Sequence, residues 1–281
     1  KTPRRQRQMC IRDRPYTDCS PGFGSVAKYI ATSTLEAGLD VKSMAETSTK
    51  VFILEVMGRH AGWIAAASCL AATKAGDPPH IILLPEVPFE KTKFITQVKQ
   101  TVKEQGYCVI VASEGTQTKN GKFLADSGLT DAFGHKQLGG VAPVLAGMIS
   151  KIGLKNHWAV ADYLQRSARH LASKTDLDQA YAVGEHAVKL AIAGKTALMP
   201  IIKRTSDSPY KWKIATAPLK NVANIEKTMP KKFISKNGFE ITQAGKTYLS
   251  PLIKGEAPIK YVNGLPDIAE LKKIKVKKKL N

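Results

Sequence analysis

Hydrophobic and polar positions along the chain define two kinds of segment. Short β-branched and apolar runs predict buried strands, and these fall at 51–56, 80–84, 107–111 and 158–163. Longer segments predict helices, at 25–37, 60–75, 91–105, 139–152 and 175–193. Strands that alternate with helices favour right-handed βαβ units and a mostly parallel sheet. The predicted fold class is therefore α/β, a Rossmann-like three-layer sandwich with a parallel sheet.

Local signals refine the ends of these elements. Thr175 is predicted as the N-cap and Gly194 as the C-cap of the last long helix. Residues 116–138 are rich in glycine and polar side chains, which predicts a loop or small insertion. Beyond residue 204 the pattern changes to short β-like pieces, at 211–215 and 238–242.

Composition narrows the class of protein. The 281 residues are 43% apolar, which is enough for a sizeable core in one or two domains. No apolar run approaches the roughly 20 residues that span a membrane, and no signal peptide is visible. The four cysteines show no CxxC or Cys/His ligand spacing. The sequence therefore predicts neither a disulfide framework nor a zinc site, and a cytoplasmic location is expected.

The net charge of +20 is concentrated at the two ends of the chain. Residues 1–14 carry +5 and the lysines from Lys272 onward carry +6, which leaves +9 on residues 15–270. A modest excess spread over this body suits an enzyme that handles phosphorylated substrates. A nucleic-acid-binding protein is the competing class. No helix-turn-helix, zinc finger or RNP-like aromatic motif supports it, so no nucleic-acid partner is expected.

The first fourteen residues, KTPRRQRQMCIRDR, show neither apolar periodicity nor turn signals. They resemble the translation of a transposon-type sequencing adapter, and such scars are set aside in fold prediction. We expect them to be poorly packed and the natural chain to join at about Pro15, with its own N-terminus missing. A basic arm that binds nucleic acid is the alternative interpretation.

Two charged residues directly follow predicted strands. Arg59 comes after 51–56 and Glu114 comes after 107–111. In open α/β sheets, ligands bind beyond the C-terminal ends of the strands. Gly58 lies between the first strand and a predicted helix, where backbone N–H groups can approach an oxyanion. The pattern predicts a site for an anionic ligand at this edge of the sheet.

Three stretches resemble the phosphofructokinase family, in that family's order and spacing, over about residues 15–205. TDCSPGFGS at 17–25 is similar to the segment that follows the family's catalytic TxDND motif. EVMGRHAGW at 55–63 is similar to its sugar-phosphate signature, and YLQRS at 163–167 to a variant of its late HxQRGG motif. The resemblance implies phosphoryl transfer to the 1-hydroxyl of fructose 6-phosphate, giving fructose 1,6-bisphosphate, and a fragment of a two-domain fold.

The resemblance also implies a binding site for fructose 6-phosphate. The backbone of Met57 and Gly58 and the side chain of Arg59 are expected to contact this substrate. Glu114 matches the carboxylate that accepts hydrogen bonds from sugar hydroxyls. A guanidinium and a carboxylate together suit a ligand that carries both a phosphate and hydroxyls. A surface salt bridge for Arg59 and a solvent-exposed strand-end Glu114 are the alternatives.

Two further contacts are implied for the phosphate. Tyr163 and Arg166 match the pair that holds the 6-phosphate. Many family members have histidine at the position of Tyr163, and a phenol can still donate a hydrogen bond. A half-buried core tyrosine is the alternative. Lys50 matches a cation that reaches the substrate of a neighbouring subunit, so a homo-oligomer is expected; an ordinary strand-flanking lysine is the alternative.

One expected phosphate contact is in question. His157 stands where many family members carry a phosphate-binding arginine, and a neutral imidazole is a poorer phosphate ligand. Lys155, Arg169 and His170 are nearby candidates to replace that arginine.

The family's catalytic parts do not occur in this sequence. In the family, a Gly-rich loop and a GGD-type motif hold the donor and magnesium, and the aspartate of TxDND deprotonates the 1-hydroxyl. Phosphoryl transfer depends on such positioning and charge stabilisation. No catalytic residue and no metal ligand is therefore assigned, Mg²⁺ is expected to be bound mainly by the missing N-terminal part, and the fragment is expected to be inactive.

The donor implied by the resemblance is pyrophosphate. The YLQRS form and the segments 123–126 and 133–140 are more similar to the pyrophosphate-using branches. An ATP-dependent 6-phosphofructokinase and a non-catalytic homologue that binds sugar phosphate are the alternatives.

The expected organisation has four parts. They are an adapter artefact at 1–14, a sugar-phosphate-binding domain at 15–165, the C-terminal part of the donor-binding domain at 166–205, and a C-terminal extension with a lysine-rich tail at 206–281.

Overall fold

A computed structural model of the chain describes residues 16–130, 136–138, 140–222, 225–269 and 274. The N-terminal segment 1–14, for which poor packing is predicted, lies outside these ranges, as does most of the lysine-rich tail. No helix among the described residues is both long and apolar enough to cross a membrane.

The described residues contain seven α-helices and ten strands. Along the chain they are α1 (Phe23–Met44), β1 (Val51–Val56), α2 (Trp63–Ala67), β2 (Ile81–Leu83), α3 (Lys91–Gln105), β3 (Cys108–Ser113), β4 (Asp126–Thr130), β5 (Lys136–Leu138), α4 (Val141–Ser150), β6 (Asn156–Val160), α5 (Leu164–Ser167), α6 (Lys174–Ile192), β7 (Leu198–Asp207), β8 (Tyr210–Pro218), α7 (Gln243–Leu249), β9 (Tyr261–Val262) and β10 (Leu265–Pro266).

Four parallel strands form the central sheet, in the order β2–β3–β1–β6. Glu55 of β1 lies opposite Ala112 of β3 on one side and Val160 of β6 on the other. The C-terminal ends of β3, β1 and β6 therefore meet at one edge of the sheet. The predicted α/β class with a parallel sheet is confirmed. β6 forms an outer edge of the described sheet, and four of its five residues are exposed.

Helices cover both faces of this sheet. Alternate residues of a strand point to opposite faces. Val51 and Ile53 pack in a cluster with side chains of α3 and α4, whereas Leu54 and Val56 pack with side chains of α1 and α2. Full burial of an aliphatic side chain of this kind stabilises the fold by about 1.5–3 kcal/mol. The predicted three-layer arrangement follows from this alternation.

The helix after β1 begins later than predicted. The sequence predicted a start at about His60, but α2 begins at Trp63 and ends at Ala67, followed by a 3₁₀ turn to Ala71. The reason is the turn that precedes it. Gly58 has a φ of 143°, and the N–H of Gly62 donates to the carboxylate of Glu86 instead of entering a helix.

The predicted N-cap of α6 was also wrong. Ser173 is the cap, since its hydroxyl accepts a hydrogen bond from the N–H of Asp176. The hydroxyl of Thr175 instead donates to the carbonyl of Lys254, at 3.1 Å. At the other end, Ala193 is the C-cap, and Gly194 follows it with a φ of 66°.

The predictions for the less regular parts of the chain were incomplete. β7 and β8 form one antiparallel hairpin, longer than the predicted piece at 211–215. The predicted piece at 238–242 is not a strand: its β-type pairing is a single isolated bridge, from Ile241 to Ile234. The segment 116–138, predicted as a loop or small insertion, contains the antiparallel pair of β4 and β5.

Candidate functional site

The turn after β1, residues 57–62, packs directly against the end of β3. A Cβ on Gly115 would lie 1.9 Å from the carbonyl oxygen of Arg59. A Cβ on Gly58 would lie 2.8 Å from the hydroxyl of Ser113, which donates to the Gly58 carbonyl at 2.5 Å. Real Cβ atoms do not come this close to other heavy atoms. Glycine at both positions therefore allows the two strand ends to meet.

Glu114 joins this contact through its side chain. Its Oε1 accepts a hydrogen bond from the N–H of Gly58 at 3.1 Å, and its own N–H donates to the carbonyl of Val56 at 2.9 Å. The residue is half-buried. Its Oε2 has no hydrogen-bond donor among the described residues and is free to accept one from a ligand hydroxyl.

The guanidinium of Arg59 has an unused donor. Its Nε is buried and makes no hydrogen bond within the part of the chain that the structure describes. An unpaired buried donor costs about 1–3 kcal/mol unless an acceptor reaches it. Gln165 shows a similar feature: its Oε1 is buried without a partner, while its Nε2 donates to the carbonyl of Asp162 at 2.8 Å.

Tyr163 and Arg166 lie just beyond β6, at the same edge. The guanidinium carbon of Arg166 is 4.3 Å from the centroid of the Tyr163 ring, which is a cation–π contact. Tyr163 is 62% exposed in this chain, so its ring is accessible. Because β6 pairs with β1 in parallel, this pair follows the same end of the sheet as the turn that carries Arg59.

Lys50 lies at the N-terminal ends of the strands, opposite the ends that carry Arg59 and Glu114. It precedes β1, its N–H donates to the carbonyl of Lys155, and its Nζ donates to the carbonyl of Ala45. His157, near the start of β6, is paired with Phe52 at this same edge. The structure therefore separates Lys50, Lys155 and His157 from the site around Arg59 within one chain.

The two other candidates to replace the missing arginine follow α5. Arg169 donates from Nη1 to the carbonyl of Ala257 at 2.8 Å. His170 is exposed in the same 3₁₀ turn. Of these two side chains, Arg169 is already hydrogen-bonded within the chain, and only His170 is exposed for a ligand.

A buried carboxylate lies beneath the site and was not predicted. Glu55 is 5% exposed, and its Oε2 accepts a hydrogen bond from the N–H of Ala142 at the start of α4, at 2.8 Å. Burial raises the pKa of Glu55, the nearby carboxylate of Glu114 adds to the increase, and the bond from Ala142 opposes it. The signal in the sequence was the one charged residue within the apolar run 51–56.

A second unpredicted cluster surrounds Asp18. Its side chain is 5% exposed, and both carboxylate oxygens accept from Nε of Arg204, at 2.9 and 3.0 Å. The hydroxyl of Tyr210 donates to the same carboxylate at 3.0 Å, and the guanidinium lies 4.1 Å from the ring of Tyr248. This cluster joins the start of the described chain to β7, β8 and α7.

The predicted site lies apart from a cavity near the C-terminal part of the chain. A cavity of about 550 Å³ is formed by the β7–β8 turn, α7 and the start of α6, and Lys246 and Lys254 are among its lining residues. None of the seven predicted substrate-binding residues lines it.

The described residues offer no metal site. No group of three or more His, Cys, Asp or Glu side chains in the described ranges could hold a metal ion. We therefore assign no metal ligand to this part of the protein.

A parallel α/β sheet with cationic and carboxylate groups at its C-terminal edge is typical of enzymes that bind phosphorylated ligands. Residues 12–191 match the Phosphofructokinase family. The chain belongs to the phosphofructokinase family, and the prediction drawn from its motifs is confirmed.

Named relatives and solved structures agree with this assignment. The chain is 64% identical over 269 residues to a pyrophosphate–fructose 6-phosphate 1-phosphotransferase of Halomonas elongata, covering 95% of this chain and 64% of the relative. It is 56% identical, over the same shares, to a protein of that name from Methylococcus capsulatus. The crystal structure of a pyrophosphate-dependent phosphofructokinase from Marinobacter aquaeolei is similar with a TM-score of 0.86 and 58% identity, over 96% of this chain and 65% of that one. The chain thus spans a little under two thirds of the length of these proteins.

Proposed function

We propose that the whole protein transfers a phosphoryl group from pyrophosphate to the 1-hydroxyl of fructose 6-phosphate, giving fructose 1,6-bisphosphate and inorganic phosphate. The names of the two relatives at 64% and 56% identity support both the sugar acceptor and the pyrophosphate donor. They favour pyrophosphate over ATP. For the 281-residue chain itself the proposal is narrower: it carries the binding site for fructose 6-phosphate.

One observation carries this narrower proposal. The buried, unpartnered Nε of Arg59 lies next to the Glu114–Gly58 hydrogen bond, at an edge shared with the Tyr163–Arg166 pair. The cations suit a dianionic phosphate, and the free oxygen of Glu114 suits a sugar hydroxyl. The backbone of Met57 and Gly58 completes the site on the side of β1.

The donor side is proposed to lie in the part of the protein outside this chain. Mg²⁺, which neutralises charge on the transferred phosphoryl group, is proposed to bind there. No group of three or more acidic, histidine or cysteine residues lies close enough together in the described ranges to hold a metal ion, and none of the Mg²⁺ ligands is assigned here. Residues 15–165 are proposed as the sugar-phosphate-binding domain and 166–205 as the C-terminal part of the donor-binding domain.

Two properties of the assembled enzyme are part of the proposal. Lys50 is proposed to reach the substrate of a neighbouring copy in a homo-oligomer, which its position at the opposite edge of the sheet supports. A reducing compartment, the cytoplasm, is proposed because Cys19, Cys69 and Cys108 are buried and unpaired.

Calorimetry and a coupled assay test the proposal. Titration of the 281-residue chain with fructose 6-phosphate is expected to show saturable binding, with glucose 6-phosphate as the matched comparison. The full-length protein, with the upstream segment restored, is expected to turn over fructose 6-phosphate with pyrophosphate and Mg²⁺. Turnover with ATP alone would overturn the donor, sugar-phosphate binding without turnover would favour a non-catalytic homologue, and absence of binding would overturn the site.

A further inference from the structure

Residues 225–230, called the strap here, cross the start of α2 beside the proposed substrate turn. The indole N–H of Trp63, the first residue of α2, donates to the carbonyl of Lys227 at 2.7 Å. Glu226 of the strap lies 3.9 Å from the ring of His60, at the turn itself. The C-terminal extension, whose role the sequence left open, therefore contacts the segment that carries Arg59.

A single carboxylate fastens the turn and the strap together. Glu86 accepts the N–H of Gly62 at 3.0 and 3.1 Å through its two oxygens. Its Oε1 also accepts the N–H of Met229 in the strap, at 3.0 Å. A Cβ on Gly62 would lie 2.8 Å from this carboxylate, so a side chain there would displace the Glu86 carboxylate from its present position.

The side chain of Lys227 extends the connection to the start of the described chain. Its Nζ donates to the carbonyls of Thr17 and Asp18, both at 3.1 Å, and to the hydroxyl of Tyr248 at 3.3 Å. The ammonium also lies 5.6 Å from the centroid of the Trp63 ring. The residue is half-buried, and this burial lowers the pKa of Lys227.

Two sets of contacts hold the turn in place, one at each of its ends. Glu114 and Ser113 hold the end at Gly58, as described above. Glu86 and the strap hold the end at Gly62 and Trp63, and Lys227 anchors the strap to residues 17–18. A rigid turn matters because displacement of binding groups by fractions of an ångström weakens their contacts with a ligand.

We propose that Lys227 is a positioning residue, which holds the turn of residues 57–62 in the geometry that binds fructose 6-phosphate. The identity of the ligand rests on the proposed function, whereas the positioning of the turn does not. Lys227 is not one of the proposed substrate-binding residues. It acts through Trp63 and through the strap that shares Glu86 with Gly62.

The test replaces Lys227 with methionine, which keeps the aliphatic stem and removes the ammonium. Lys231→Met is the matched control, because Lys231 is exposed four residues away. In the 281-residue chain, Lys227→Met is expected to raise the Kd for fructose 6-phosphate on the order of tenfold. Exchange of the Gly62 amide and the Trp63 indole N–H with deuterium is expected to accelerate by a similar factor, while amides of β1 and β3 keep their rates. Lys231→Met is expected to match the unmodified chain.

Each outcome decides the proposal. If Lys227 only stabilises the fold, Lys227→Met will lower Tm but leave the Kd and the exchange at Gly62 unchanged below the unfolding transition. That result would overturn the proposal. If Lys227→Met does not fold, Trp63→Phe, which removes the indole N–H together with part of the ring, is expected to raise the Kd and to accelerate exchange at Gly62 in the same way, and its failure to do so would overturn the proposal. If neither the unmodified chain nor Lys231→Met binds fructose 6-phosphate, the proposed function fails for this chain, and exchange at Gly62 alone then decides whether Lys227 positions the turn.

Discussion

Replacement of Arg166 by alanine separates the proposed phosphate contact from the stability of the fold. Arg166 is exposed, and its side chain contacts the ring of Tyr163, which is itself exposed. An exposed cation–π contact contributes about 0.5–1 kcal/mol, so the free energy of unfolding should fall by no more than that. Loss of a charge-assisted hydrogen bond to phosphate costs about 1.5–3 kcal/mol. The Kd for fructose 6-phosphate should therefore rise roughly 10- to 150-fold.

The assay is calorimetric titration of the chain, together with urea unfolding of each variant. Arg166→Lys keeps the charge but loses the planar guanidinium, so its Kd should lie between those of the unmodified chain and Arg166→Ala. Lys236→Ala, at an exposed lysine of the C-terminal extension, is the control and should change neither quantity. In the full-length enzyme, Arg166→Ala should raise the KM for the sugar. An unchanged KM for the sugar with an altered KM for the donor would refute the assignment of Arg166 to the 6-phosphate.

Two further substitutions, at Glu55 and Gly115, test the residues that support the site. The raised pKa of Glu55 means that the folded state holds its proton to higher pH than the unfolded state, so stability falls as pH rises above the ordinary value of 4.5. Glu55→Gln keeps an acceptor for Ala142 and should remove that slope in urea unfolding between pH 4.5 and 7; parallel curves for the two proteins would contradict the reasoning. Gly115→Ala forces a Cβ against the Arg59 carbonyl and should destabilise the fold by about 1–3 kcal/mol and weaken sugar-phosphate binding. Wild-type values in denaturation and calorimetry would show that the turn tolerates the displacement.

The sequence predicts the regular parts of the fold because their signals are local. The run 51–56 forms β1 with the predicted bounds, and α3 spans the predicted 91–105. The stripe of Phe94 and Val98 is fully buried, and Gly106, with a φ of 82°, ends the helix. Each of these features depends on residues within one or two turns of it.

The misplaced ends depend instead on residues far along the chain. The start of α2 is set by Glu86, 24 residues beyond Gly62. The hydroxyl of Thr175 is taken by the carbonyl of Lys254, 79 residues away, which leaves the cap to Ser173. Such contacts have no signature in a single sequence.

The candidate site likewise contains residues that the sequence revealed and residues that it did not. The strand-end rule selected Arg59 and Glu114 from the sequence alone, and the family motifs added Tyr163 and Arg166. The supporting residues were not accessible to that reasoning, because Asp18 and Arg204 meet across 186 positions and Lys227 reaches Thr17 across 210. Lys50 precedes the predicted strand 51–56, so the sequence already placed it at the N-terminal end of β1, opposite to Arg59.

The exposed outer strand β6 has a consequence for handling the isolated chain. Trp158 is 47% exposed and Val160 is 41% exposed, on a strand whose outer row of backbone N–H and C=O groups has no strand partner among the described residues. An apolar edge of this kind is a template for pairing with another copy, and so for aggregation. Trp158→Lys would place a charge on that edge, as natural sheets do, and should keep concentrated preparations dispersed.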